Sequence, residues 1–309
     1  MDFLRGKIYL ICAFSLAGTS VISARFVTGK LGTFTITAMS LFFALLLLVP
    51  IVSKQLVQYL KHMSFRSFLL LILQSICGIF LFRVFLLNGL AHTSAGEAGI
   101  LTGTTPAITA LLAIFIVKEP ASSGKLTGIM CTVAGILIIQ GMFTKGNDFA
   151  LEHFLGNMLV LCAAASESVF NTLSRIFAVK TAKEPHQTPN PVLQTVTVSA
   201  IALILCLFPM IGEEPIKKLL GIGFLEWIAL LWYGVFVTAL AFIFWYSGIK
   251  RCGVLTAAAF SAMMPFTSMV LSIVLLGERI DYIQCIGGLL VILGMILIGK
   301  EQEKRNEYF

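Results

Sequence analysis

The sequence predicts an all-α polytopic membrane protein with ten transmembrane helices in two inverted five-helix repeats. Three observations lead there. Of the 309 residues, 58% are hydrophobic and only 12% are charged, whereas a soluble domain carries about 25% charged residues. Apolar segments of about 20 residues, each long enough to cross a bilayer, recur along the whole chain. The second half of the sequence also echoes the first.

The first apolar run, 7–28, is as long as a spanning helix and lacks an A-x-A cleavage pattern. It is therefore read as a membrane helix and not as a signal peptide. Further spans are expected at 33–52, 67–90, 95–117 and 124–143, then at 155–177, 191–211, 224–247, 254–276 and 281–299. The longest polar stretch, "KTAKEPHQTPNP" (180–191), divides the chain near its middle and reads as a loop.

Ten spans place both termini on one side. Of 22 lysines and arginines, Arg25 and Arg83 lie within spans, fifteen fall on the side of the termini, and Lys30, Lys145, Lys217, Lys218 and Arg279 fall opposite. The positive-inside rule then makes both termini cytoplasmic, in a multi-pass protein of the cytoplasmic (cell) membrane. The net charge of +7 is explained by this loop bias. No basic stripe with interleaved aromatics points to nucleic acid.

A shift of 159 residues pairs Gly89 with Gly248, Ala98 with Ala257, Pro106 with Pro265 and Glu119 with Glu278. It also pairs Gly128 with Gly287 and Gly135 with Gly294. Near the start of each half a shift of 150 works instead, pairing Cys12-Ala13 with Cys162-Ala163 and Arg25 with Arg175. The repeats are expected at 1–143 and 144–309, the second with a short cytoplasmic tail. Five helices per repeat is an odd number, so the second copy enters the membrane from the opposite side. Such inverted repeats suit alternating access, with a substrate site near the midplane.

The residues that could carry chemistry lie on a few helices. In "SESVFNTLSR" (166–175), Glu167, Asn171 and Arg175 share one helical face, with Ser168 and Ser174 beside it. Glu167 lies roughly 17 Å into its helix at 1.5 Å per residue. A carboxylate at the midplane costs at least ~2.5 kcal/mol, so it must meet a cavity or a partner. It could exchange protons, pair with a substrate ammonium, or be a structural carboxyl. Arg83 lies within the third span and needs an anion or a wet path. Glu97 is its expected partner, with a substrate carboxylate as the alternative. Arg25 is read as snorkelling to the interface.

Pro106 and Pro265 are expected to kink the fourth and ninth helices, freeing the carbonyls of Thr102 and Ser261. Thr104 and Thr105 add hydroxyls there. A kink needed only for packing explains the prolines equally well. Gly99 and Gly103, with Gly128/Gly135 and Gly287/Gly294, are read as close internal helix packing in preference to a dimer seam. Trp232, Tyr233, Trp245 and Tyr246 read by default as an interfacial belt, with lining of the substrate path as the alternative.

The seven cysteines form no CxxC pair, so neither metal nor disulfides are expected. No cofactor is expected. There is no HExxH, GxSxG or P-loop, and the histidines lie in or beside loops, so the chain is not read as an enzyme.

"HTSAGEAGILTGTTPAITALLAIFIVKE" (92–119) resembles the signature of the drug/metabolite transporter (DMT) superfamily, specifically its EamA family. "GVLTAAAFSAMMPFTSMVLSIVLLGERI" (253–280) repeats it. The resemblance covers nearly the whole chain. It implies ten helices, two EamA repeats, and transport of small metabolites, often as export. Family members commonly carry an aromatic in the middle of the first and sixth helices. The corresponding positions here are Ala17 and Glu167.

The expectation is therefore a secondary carrier that exports a small amphiphilic solute, an amino acid or related metabolite, with proton exchange as its coupling. Its site would comprise Glu167, Asn171, Ser168, Arg83, Thr102 and Ser261. Its other partner is membrane lipid, and it would be a monomer or a homodimer. A lipophilic-cation exporter is the alternative. A non-transporting receptor or hydrolase is a third.

Overall fold

The computed structural model describes residues 2–61, 63–115, 122–139, 151–182, 190–260, 263–278 and 281–306. Among the described residues there is no strand, only an isolated bridge between Thr28 and Leu31. An apolar chain in lipid must satisfy its own backbone groups, and a helix does so within one segment.

In chain order the helices are α1 (Asp2–Val27), α2 (Thr33–Lys61), α3 (Phe65–Ser75), α4 (Phe82–Leu90) and α5 (Ala95–Thr102). Then come α6 (Thr105–Phe115), α7 (Ser123–Ile139), α8 (Leu151–Ala182), α9 (Pro191–Ile211) and α10 (Pro215–Leu220). The last are α11 (Phe224–Trp232), α12 (Ala241–Phe260), α13 (Met263–Leu276) and α14 (Tyr282–Asn306). π-helical segments, Ile76–Leu81 and Tyr233–Leu240, join α3 to α4 and α11 to α12. Among the described residues, six helices are long and apolar enough to cross a membrane: Leu4–Val27, Thr33–Lys61, Phe65–Leu90, His153–Ser174, Pro191–Ile211 and Phe224–Gly248. Shorter apolar helices cover Leu126–Ile138, Met263–Leu276 and Tyr282–Ile298. Large apolar side chains such as Phe208 and Ile204 are exposed, as suits a surface that faces lipid tails.

The structure corrects the expected spans in three places. Helix α2 continues to Lys61, beyond the end expected at 52. The loop expected at 248–253 is helical, because α12 runs on to Phe260. The fourth span is broken at Gly103–Thr104 into α5 and α6. Pro106 therefore does not sit inside a continuous helix. It is the second residue of α6, while the residues just before the helix that carries Pro265 lie outside the described ones. The first turn of a helix tolerates proline, because its N–H would have no intrahelical partner there.

Helix starts are marked by polar side chains. The Ser94 hydroxyl accepts the Glu97 N–H at 3.1 Å, and the Asn190 side chain accepts the Val192 N–H at 3.1 Å just before Pro191. The turn from α1 to α2 passes through Gly29 at φ 85°, a conformation glycine adopts without strain.

The end of the bundle carrying 28–32, 91–94 and 212–223, here the upper end, is held by carboxylates. Glu213 accepts from the Phe34 N–H (3.0 Å), the Thr35 N–H (2.7 Å) and the Thr35 hydroxyl (2.7 Å) at the start of α2. Glu278 accepts from the Ala95 and Gly96 N–H groups at 3.0 and 2.9 Å, at the start of α5. Each carboxylate satisfies free helix-end donors and lies at the positive end of a helix dipole. Lys30 pairs with Glu226.

Glycines set the closest crossings. A Cβ on Gly128 of α7 would lie 2.9 Å from the Gly294 carbonyl oxygen, and one on Gly135 would lie 2.5 Å from that of Gly287. A Cβ on Gly89 would lie 2.9 Å from the Gly156 oxygen, and one on Gly248 would lie 3.3 Å from that of Gly6. The family of glycines expected to pack helices does so within one chain.

Candidate functional site

The break between α5 and α6 exists because Thr102 cannot receive the bond that a non-proline residue at 106 would donate. Its carbonyl is partnered instead by the Thr105 hydroxyl at 2.9 Å. The Thr102 hydroxyl turns back to the Gly99 carbonyl at 2.7 Å.

Helix α8 packs against this break. Thr105 Oγ1 is 2.9 Å from Glu167 Oε2. The Ser168 hydroxyl lies 2.9 Å from both the Thr105 and the Ala164 carbonyls. Glu167, Ser168 and Thr102 are thus brought together, with Thr105 as the link. Asn171 lies one turn along α8 and makes no hydrogen bond among the described residues. Ser261 lies outside the described residues.

Arg83 is held elsewhere. It is buried in α4, with Nη1 2.5 Å from the Ser40 hydroxyl and Nη2 2.5 Å from the Thr238 hydroxyl. Its guanidinium carbon stands 4.3 Å from the centre of the Tyr233 ring, in the range of a cation–π contact. The expected Arg83–Glu97 pair is absent. Glu97 accepts from His153 Nε2 at 2.7 Å, Thr93 at 3.1 Å, Asn157 at 3.2 Å and also from Gln284. Among the described residues Arg83 therefore has hydroxyl and aromatic partners but no carboxylate. Arg25 donates to the Leu90 carbonyl at 2.5 Å, at the C-terminus of α4, where a cation is favoured.

The expected aromatic belt is turned into the bundle instead. Tyr233 lies buried under Arg83, and the Trp232 indole N–H donates to the Thr19 hydroxyl at 2.9 Å. Trp245 stands 4.8 Å from the Tyr246 ring and 6.0 Å from Phe170, and Phe170 stands 6.0 Å from Phe242.

Sequence reading missed one group. Gln74 of α3 is fully buried, and its Oε1 accepts from Gln194 Nε2 (2.9 Å) and the Ser174 hydroxyl (3.2 Å). A polar glutamine pair interrupting "LLLILQSICGIF" and "PVLQTVTVSA" was the available signal.

The model of the EamA-like transporter family matches residues 4–141 and again 154–300. A Bacillus subtilis (strain 168) protein described as the uncharacterized transporter YetK is 28% identical over 310 residues, covering 97% of this chain and 88% of that protein. The aromatic amino acid exporter YddG of Ancylobacter novellus is 27% identical over 202 residues, 64% of each chain. The chloroplastic WAT1-related protein At3g02690 of Arabidopsis thaliana is 25% identical, covering 94% of this chain and 68% of that one. One crystal structure shares the fold with a TM-score of 0.65 at 22% identity, covering 98% of both chains. With its polytopic helical architecture and two family matches spanning nearly its whole length, this chain belongs to the EamA-like transporter family.

Proposed function

We propose that the protein is a secondary carrier of the cytoplasmic membrane that exports small amphiphilic metabolites, amino acids or related compounds, by alternating access with proton exchange. The observation that carries this is Glu167, a carboxyl deep in the bundle that touches the break between α5 and α6. A titratable group joined to a discontinuous helix can link proton binding to movement of that helix. The likeness to an aromatic amino acid exporter supports the substrate class.

The architecture in this proposal is ten spans in two inverted repeats, 1–143 and 144–309, with both termini cytoplasmic. The glycine contacts support it. Gly128 meets Gly294, and their mates under the 159 shift, Gly287 and Gly135, meet each other. Gly89 meets Gly156, while the mates Gly248 and Gly6 meet each other. Such reciprocal pairing is what a two-fold relation produces. The candidate site obeys it too. Ser168 contacts the Thr105 carbonyl, and a Cβ on its mate Gly18 would lie 2.6 Å from the carbonyl oxygen of Met264, the mate of Thr105. In that second copy, glycine and Ala17 stand where the first has Ser168 and Glu167.

The test is transport in proteoliposomes loaded with a pH-sensitive dye, screening amino acids, polyamines and quaternary cations. Substrate-dependent proton flux supports the reading, and substrate movement with no proton flux refutes the coupling. A second reading, efflux of lipophilic cations, is favoured by the aromatic cluster of Phe170, Phe242 and Trp245, whose Phe170 follows Glu167 by three residues on α8. Competition by a quaternary ammonium but not by amino acids would select it.

A further inference from the structure

Five helices bring polar side chains to one place toward the lower end of the bundle: the buried Gln74 of α3, Ser174 of α8 and Gln194 of α9, and the half-buried Tyr59 of α2 and Tyr246 of α12, whose hydroxyls are shut away. Gln74 is the hub, with Gln194 and Ser174 both directed to its Oε1. Ser174 lies beside the Tyr246 hydroxyl, and Tyr246 and Tyr59 are within electrostatic reach of one another. The one hydroxyl proton of Ser174 is directed to Gln74, and Tyr246 gains no well-formed bond from it.

Among the described residues, three groups here are shut away from solvent with no hydrogen bond of good geometry: Gln74 Nε2, the Tyr59 hydroxyl and the Tyr246 hydroxyl, the last with the Ser174 oxygen beside it. Buried polar atoms are almost always paired. Phenylalanine would fill the same space as either tyrosine without leaving a polar atom unpaired. All three spare groups can donate, an amide N–H and two phenol O–H. Their shared complement is an acceptor. The Tyr246 ring packs against Trp245 and Phe242, so the adjoining wall is aromatic.

We propose that this cluster is a binding station for the carboxylate of a small solute with an aromatic or apolar body. The carboxylate accepts from Gln74, Tyr59 and Tyr246, and the body lies along Trp245. The assignment deepens the carrier reading and rests on it for the ligand's small size. Ser174 follows Glu167 by seven residues on the same face of α8, a rise of about 10 Å. That exceeds the separation of the ammonium and carboxylate in one α-amino acid. The two places are therefore successive stations along one helix face.

The experiment uses the full-length protein in detergent, with phenylacetate as the carboxylate probe and 2-phenylethylamine as its amine counterpart. Thermal melting and tryptophan fluorescence are followed together. Phenylacetate is expected to raise Tm saturably and to quench fluorescence, and the amine to do neither. The Tyr59→Phe/Tyr246→Phe double variant removes only unpaired hydroxyls. Its ligand-free Tm is expected to equal or exceed that of the wild type, with phenylacetate affinity at least tenfold weaker. A lower ligand-free Tm would show that the hydroxyls already serve the fold, and would overturn the assignment. So would unchanged affinity in the double variant, an equal response to the amine, or no response of the wild type to phenylacetate. Glu167→Gln is expected to leave phenylacetate binding intact, so loss of proton coupling and loss of this station are read separately.

Discussion

Thr105 Oγ1 lies 2.9 Å from Glu167 Oε2 and, through the same oxygen, 2.9 Å from the Thr102 carbonyl. The hydroxyl carries one proton. It can donate fully to the carboxyl or to the carbonyl that Pro106 leaves unpaired, but not to both. When Glu167 carries a proton it can donate to Thr105, and Thr105 can then serve Thr102. The protonation state of α8 is thus tied to the backbone of the broken helix.

Glu167→Gln tests the proton side of this link. The amide can still meet Thr105 but cannot titrate. Proton flux in proteoliposomes is expected to vanish, while exchange of labelled substrate for unlabelled continues. Proton flux that persists in the variant would remove Glu167 from the coupling.

Thr105→Val tests the other side. It leaves the Thr102 carbonyl and the Glu167 carboxyl without their shared partner. A loss of about 1–3 kcal/mol is expected for the unsatisfied groups, read as a lower midpoint in thermal melting. A melting curve equal to that of the wild type would show that water or backbone relaxation replaces the hydroxyl.

Arg83 bridges Ser40 and Thr238 through two nitrogens, which the point-like ammonium of lysine cannot do with the same geometry. Arg83→Lys is expected to cost about 1.5–3 kcal/mol for the lost charged hydrogen bond. The check is the thermal midpoint of R83K beside Ser40→Ala, which removes the same bond from the other end. The two should fall together.

The α7–α14 crossing leaves no room at Gly135, where a Cβ would stand 2.5 Å from the Gly287 oxygen. Gly135→Leu is expected to destabilise by roughly 1–3 kcal/mol through overpacking. Val133→Leu, on the exposed side of the same helix, should be near neutral. Equal melting of the two variants would contradict the close crossing.

Most of the helices were legible because lipid imposes one simple rule, a long apolar run, and the first, third, sixth and seventh runs obey it. The break at Gly103–Thr104 was displaced from expectation. A proline announces that a bond is missing, but not whether the chain bends around it or starts a new helix there. Glu167 stood out because a carboxyl in an apolar run is rare. Its partner Thr105 was only one hydroxyl among several, since nothing in a single helix says which neighbour it will meet. Arg83 was paired with the wrong group for a related reason. Glu97 is near in sequence, whereas Ser40 and Thr238 come from helices far along the chain. The Gln74 cluster was missed because its five members are scattered over five helices, and each alone reads as an incidental polar residue.

The contact of Gly18 with Met264 has a further meaning for a carrier of this design. Two equal halves would give a machine whose forward and reverse strokes are mirror images. Here one half holds an acid and a hydroxyl, while its counterpart holds only alanine and glycine. In the proposed cycle, charging the site would burden one half alone, so the two access states would be unequal in energy. With Glu167 the single acid at this depth among the described residues, each turnover of that proposed cycle would draw on no more than one proton there.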